Sequence, residues 1–342
     1  FARLFEAAEN AQAEVVKSNF FNFDSDGDVF QELLHGCPYR KICSARDVPQ
    51  LLQRDTYVWT SIYRKDFLAQ NDIRFNETPG ASYQDVAFTL KVNVCCKRMF
   101  LLPEGFLHYR VDNMGASVRQ IRQKYFCFHD EFAEYWRFLR GRDQEEQKTG
   151  SPASYHMWRM YRRNCWPCVP WREKVRYLEH VIQEFRQLEK EGHLRASDWP
   201  AEAWSNVQRL LRDPEGALFQ TAQDSQGKIL LAAGFWKCLR ENPKVYLYGA
   251  GQVAEYLIGE IAQHDCSVAG IIVSRQDGNP ESIADVPVHM MLEAPADPAH
   301  DLVIIAVTPR KPEVQQEIFT SLVHAGYRNV IVLTKELQQA LR

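Results

Sequence analysis

Over residues 1–12 the apolar positions recur at helical spacing, and AEVVKSNFFNF (13–23) then alternates as a strand does. DSDGD (24–28) is a turn by composition. SARDVPQLLQRD (44–55) predicts a short helix entered through Ser44 or Asp47. YVWTSIYRKDFLAQNDIRF (57–75) predicts a strand or buried segment followed by a short helix. In the next stretch Val86, Ala87, Leu90 and Val94 keep helical spacing, and Ser82 followed by Asp85 has the form of a capping box. Asp85 is therefore expected in the first turn of a helix, where the macrodipole favours a carboxylate, open to solvent at the rim of a cleft. KRMFLLPEGFLHYRVD (97–112) predicts two short strands around Pro103–Gly105. From Val118 to about Asn242 the pattern is helical, punctuated by Pro152, Pro167, Pro170 and Pro200.

After residue 242 the pattern changes. KVYLYGAGQVAEYLIGEIAQ (244–263) is a short apolar strand, a Gly-rich turn and an amphipathic helix. SVAGIIVS (267–274), DLVIIAVTP (301–309) and NVIVL (329–333) are further strands, with a helix through EVQQEIFTSLVHAG (313–326). Strands alternating with helices imply a parallel sheet with right-handed crossovers. The expected class is α/β, with three regions: 1–120, a helical stretch 121–242, and a Rossmann-like domain 243–342.

Net charge is −3, from 41 basic and 44 acidic residues, so no global field calls for nucleic acid. Nine scattered cysteines fit free thiols in a reducing, cytoplasmic setting. No apolar run approaches the length of a membrane span. The chain opens at Phe1 in mid-helix, which suggests an N-terminally truncated fragment.

Gly249-Ala250-Gly251-Gln252-Val253-Ala254 is G-x-G-x-x-A between a strand and a helix. Gly249 permits a tight turn, and Gly251 lets a phosphate approach the helix N-terminus beside Gln252. Ser274 and Arg275 stand where an acid would hold the ribose of NAD. The turn thus either receives a nucleotide phosphate, with Arg275 facing it, or is a purely structural turn.

The segments YVWTSIYRKDFLAQNDIRFNE, SYQDVAF and HYRVDNMGAS resemble the C-terminal half of A-type-fold, family 2 glycosyltransferases of bacterial surface-polysaccharide pathways. The resemblance is carried by Trp59, Tyr63-Arg64, Phe67-Leu68, Ile73-Arg74-Phe75, Glu77, Gln84-Asp85, Tyr109-Arg110 and Ser117, over about residues 1–120. It implies a partial A-type fold and inverting transfer from a sugar nucleotide to a cell-surface polysaccharide or lipid-linked acceptor. Asp85 would be the base that deprotonates the acceptor hydroxyl. Trp59, Arg64, Gln84, His108, Tyr109 and Arg110 would contact the substrates. The neighbour usually glutamate is Gln84 here. The resemblance also implies a divalent metal, Mg or Mn, in the intact enzyme, with ligands mostly outside this stretch. Asp24-Ser25-Asp26 has the letters of the metal motif but reads as a hairpin turn, so the donor half is expected to be absent and the fragment inactive alone. The competing reading is a non-catalytic nucleotide-binding or scaffold module of a polysaccharide pathway.

Other constellations carry less. Cys165-Trp166-Pro167-Cys168 lacks the strand of a thioredoxin unit, and His35, Cys37 and Cys43 lack a matching fourth ligand. His108 is either a late metal ligand or a structural strand-end histidine. Arg110, Arg119, Arg122 and Lys124 either neutralise a diphosphate or form a solvated face. The aromatic and basic stretch 155–177 is read as helix packing, with peripheral contact at the inner membrane face as the alternative.

Overall fold

The computed structural model describes residues 1–55, 57–78, 83–113, 125–227, 233–242 and 244–341. The chain divides into two compact units, residues 1–169 with 185–205, and residues 170–184 with 206–342. The division runs through the helical middle stretch.

The first unit opens with α1 (Ala2–Ala11) and β1 (Val15–Asp24), which turns back into β2 (Gly27–Gln31). Then come β3 (Ile42–Cys43), α2 (Gln50–Gln53), a 3-10 turn at Val58–Thr60, β4 (Ser61–Tyr63), α3 (Lys65–Gln70), α4 (Asp85–Cys95) and β5 (Met99–Arg110). Helices α5 (Cys127–Arg140), α6 (Gln144–Gly150) and α7 (Ala153–Met160) follow. The sheet order is β2-β1-β5-β3, with β4 also on β1; β1 and β5 are parallel and the other pairs antiparallel.

The two strands expected around Pro103 are one. A register shift at Ser18/Asn19 absorbs the proline, which has no N–H to donate. Asn19 repairs the ladder there. Its amide Nδ2 donates to the Pro103 carbonyl at 2.8 Å, and its Oδ1 accepts from the Leu34 amide at 3.1 Å. Gly105 completes the repair: a Cβ there would lie 2.8 Å from Phe21 Cε2 and 3.2 Å from the Phe20 Cα.

Helix α4 is buried on every side from Val86 to Cys95. Two of its buried polar residues reach partners on neighbouring elements. Lys91 Nζ meets Glu134 Oε1 of α5 at 2.5 Å, and Asn93 Nδ2 donates to the Leu51 carbonyl at 2.7 Å. So α4 is a core helix, not a half-exposed one.

The second unit includes α10 (Pro214–Gly227) and α11 (Ala233–Glu241). Helices α8 (Lys174–Lys190) and α9 (Ala201–Arg212) contain two of the three passages between units, and the first falls at Val169/Pro170. The four expected strands are β6 (Val245–Tyr248), β7 (Gly270–Val273), β10 (Leu302–Ile305) and β11 (Asn329–Val332). Between them lie α12 (Gln252–Gln263) and α13 (Pro312–His324), and α14 (Lys335–Ala340) closes the chain. Two strands were not anticipated, β8 (Ser282–Ile283) and β9 (Val286–Met290). The order is β11-β10-β6-β7-β9-β8, parallel except for β8. Gln226 of α10 closes the β11 edge, donating to the Val330 carbonyl at 2.6 Å and accepting from the Val332 amide at 2.9 Å.

Candidate active site and a candidate anion turn

The β1–β5 register decides which motif residues meet. Phe21 pairs with His108 and Asn22 with Tyr109, and consecutive side chains on a strand point to opposite faces. Tyr109 thus shares a face with Phe20, where the 3-10 turn carrying Trp59 arrives. Trp59 stacks on Tyr109 with centroids 5.1 Å apart and planes 3° from parallel. Tyr57 stacks on the other side of Trp59 at 4.8 Å and 7°, and Phe20 meets Trp59 edge-on at 4.9 Å. The result is a three-ring stack, Tyr57–Trp59–Tyr109.

Asp85 is the first residue of α4 and Gln84 its N-cap. Gln84 Nε2 donates to the Thr78 carbonyl and hydroxyl at 3.0 and 3.2 Å. Ser82, the expected cap, lies outside the described residues. Tyr83 is in the left-handed region with φ 60°, a conformation that costs a bulky residue roughly 1–3 kcal/mol. Its ring lies 4.2 Å from that of Phe128. Asp85 is half-buried, not solvent-open as expected. Burial raises its carboxyl above the usual aspartate range, its own backbone amide opposes this, and the negative charge of Asp55 raises it further. Asp85 acts electrostatically in turn on Tyr57 and Tyr63, raising both.

Two carboxylates that the sequence reading passed over belong to this neighbourhood. Asp55 lies 3.2 Å from His156 Nε2 and 3.8 Å from Arg159 and Arg163. Burial would raise its pKa, but those cations outweigh it and hold the group ionised. Glu131 of α5 is fully buried. It accepts from Asn76 Nδ2 at 3.2 Å and from the Ala87 amide of α4 at 3.4 Å. Burial pushes its pKa up to about 7 against those two bonds, with Asp85 adding to the rise and Lys91 opposing it. No local motif marks either residue; their places arise from helix packing.

Three of the expected contacts lie elsewhere. Arg64 sits at the start of β1, its amide on the Glu14 carbonyl at 2.8 Å and its Nη2 3.6 Å from Glu14 Oε1. His108 faces the opposite side of the sheet from Tyr109, stacked on Phe21 at 4.8 Å with Nδ1 3.0 Å from Asp28. Arg110 donates to Asp112 at 2.7 Å. Ser117, Arg119, Arg122 and Lys124 lie outside the described residues. The divalent metal implied by the resemblance finds no fit at Asp24 and Asp26. Asp24 Oδ1 accepts the Asp26 amide at 2.9 Å within the hairpin turn, and His108 is held by Asp28. In stretch 155–177, Trp158, Tyr161 and Tyr177 are buried.

In the second unit, β6 has β10 on one side and β7 on the other, so the sheet reverses direction of winding between β6 and β10. The Gly-rich turn follows β6 at that point. Gly249 has φ 108°, and a Cβ there would stand 3.5 Å from the Ala306 carbonyl oxygen after β10. Gly251 is the N-cap of α12 in extended conformation, with open space where a Cβ would go. The glycine requirement therefore falls on Gly249, while Gly251 leaves the helix N-terminus uncovered. Gln252 and Arg275 are exposed, and the Arg275 carbonyl accepts from Asn279 at 2.8 Å. Ser274 is exposed as well.

Two sheets, one mixed and one mostly parallel, thus make this an α/β protein. No family model and no curated protein matches the chain. Among solved structures, it is similar to S. aureus TarS at 17% identity, over 52% of this chain and 34% of that one, with a TM-score of 0.27. For TarS 1–349 in complex with UDP-GlcNAc the identity is 15%, the coverage 62% of this chain and 63% of that one, and the TM-score 0.28. The chain spans a third to just under two thirds of those chains. Among the described residues no helix is long and apolar enough to cross a membrane.

Proposed function

We propose that the first unit is the acceptor side of a family 2-type glycosyltransferase. It would transfer a sugar, with inversion, from a sugar nucleotide to a cell-surface polysaccharide or lipid-linked acceptor. The observation that carries this reading is the stacking of Trp59 on Tyr109, two separate pieces of the motif pattern, with Asp85 acting electrostatically on Tyr57 of the same stack. A general base must be ionised yet basic enough to take a hydroxyl proton, and a half-buried aspartate with a raised pKa meets both needs. The strained Tyr83 just before α4 supports the same reading, since such strain persists where the surroundings demand it.

In this reading Asp85 takes the acceptor proton and Gln84 orients the turn that holds it. Trp59 and Tyr109 line the acceptor approach. The divalent metal would neutralise the leaving diphosphate, and Asp24 and Asp26 do not serve it. A sugar-nucleotide turnover assay on the full-length enzyme tests the assignment: Asp85→Asn should abolish most turnover while leaving the fold intact. The second unit is read as a nucleotide-phosphate module, supported by the uncovered α12 N-terminus at the winding reversal. Its occupant would be an anion held without hydride chemistry, because Ser274 and Arg275 replace the ribose-binding acid.

A further inference from the structure

Beside the aromatic stack lies an open cleft of about 570 Å³, framed by β2, α2 and α7. That volume falls within the ~300–1,000 Å³ typical of small-molecule sites. Tyr57 and Tyr155 contribute aromatic rings, and Gln31, Gln50, Arg54 and Asp55 contribute planar polar groups. Several of these groups keep bonding capacity. Asp55 Oδ2 stands 3.8 Å from the Arg159 and Arg163 nitrogens, beyond hydrogen-bond reach. Arg54 gives Nη1 to the His35 carbonyl and has further donors in its planar fork.

We propose that this cleft binds a saccharide unit, its sugar face against the tyrosines and its hydroxyls on Gln31, Gln50, Arg54 and Asp55. A pyranose presents an apolar C–H face and a rim of hydroxyls that both donate and accept. An aromatic ring covers the first, and planar carboxylate, amide and guanidinium groups bridge neighbouring hydroxyls of the second. A diphosphate fits worse, because Glu32 and Asp55 put carboxylates on the same wall as Arg54 and Arg159.

The cleft shares two residues with the surroundings of the proposed reaction centre. Tyr57 lines it and stacks on Trp59, and Asp55 lines it and acts on Asp85. The identification of this saccharide as part of the acceptor rests on the proposed function; the binding itself does not.

Saturation-transfer NMR on residues 1–342 with chitotriose, cellotriose and maltotriose tests the inference, with UDP as an anionic competitor. At least one trisaccharide should receive saturation, strongest on the protons of one ring face. Gln50→Ala and Arg54→Gln should each weaken its affinity roughly tenfold. Gln50 is exposed on a short helix, so its loss leaves the fold in place even if Tyr155→Ala does not. No signal from any trisaccharide, or signals unaffected by both substitutions, would overturn the proposal, as would displacement of the sugar by UDP. Trisaccharide binding reports on the cleft alone and Asp85→Asn turnover on the reaction alone, so the two can fail separately.

Discussion

Trp59 and Tyr109 lie face to face, 5.1 Å between centroids and 3° from parallel, although one sits in a 3-10 turn and the other near the end of β5. Their contact ties the loop before α3 to the strand after α4. In a double-mutant cycle on Trp59→Ala and Tyr109→Ala, we expect a coupling of about 0.5–1.5 kcal/mol. Urea denaturation of the four proteins measures it. A coupling of zero would mean that the rings merely share a surface.

Asp85→Asn should lower turnover of the full-length enzyme by ~10²–10⁴-fold, the scale of a lost general base. The raised pKa adds a pH signature. The base must be ionised, so the acid limb of kcat/KM should lie above the ordinary aspartate range. Removing the neighbouring negative charge with Asp55→Asn should move that limb to lower pH. Full activity in Asp85→Asn would sink the catalytic assignment.

Glu131 makes a separate prediction about stability. Its folded-state pKa, about 7, lies above the unfolded value, so the native state holds the proton more tightly. Its contribution is present at low pH and is lost as pH rises from the ordinary glutamate range through about 7. The loss is up to about 3 kcal/mol, converted at 1.36 kcal/mol per unit. Glu131→Gln removes the charge and keeps one carbonyl oxygen, enough for Asn76 or Ala87 but not both. Relative to the parent it should therefore gain stability as pH rises from 4.5 to 8, read from melting temperatures at each pH. A difference that does not change with pH would show that Glu131 titrates normally.

In the second unit the two glycines should separate cleanly. Gly249→Ala must hold φ 108° with a side chain and should lose roughly 1–2 kcal/mol. Gly251→Ala meets no neighbour and has an extended backbone, so its cost should be only that of a poorer N-cap, roughly 0.5–1 kcal/mol. If a phosphate approaches the α12 N-terminus, Gly251→Ala should nevertheless weaken it. Calorimetric titration with UDP, UDP-sugars and NAD decides the matter: tight NAD binding would refute the role given to Arg275. Failure of all of them to bind would leave the glycines as turn residues.

Periodicity alone determined much of the fold. The helix at the start, β1, the hairpin turn, α3, α4 and the four main strands of the parallel sheet are all set by local spacing and turn chemistry. The place of Asp85 at a helix start was also legible from the apolar spacing that follows it, although the N-cap is Gln84 rather than Ser82. What lay beyond the sequence depended on pairing between distant segments. The continuity of β5 through Pro103 requires Asn19, a side chain on another strand. The faces given to His108 and Tyr109 follow from a register with β1 that no local pattern encodes. The burial of Asp85, and the approach of Asp55 and Glu131, come from helices packed around α4, and desolvation is a property of what surrounds a residue. Local chemistry therefore named the residue that could act as a base, and only the tertiary structure decided what its environment makes of it.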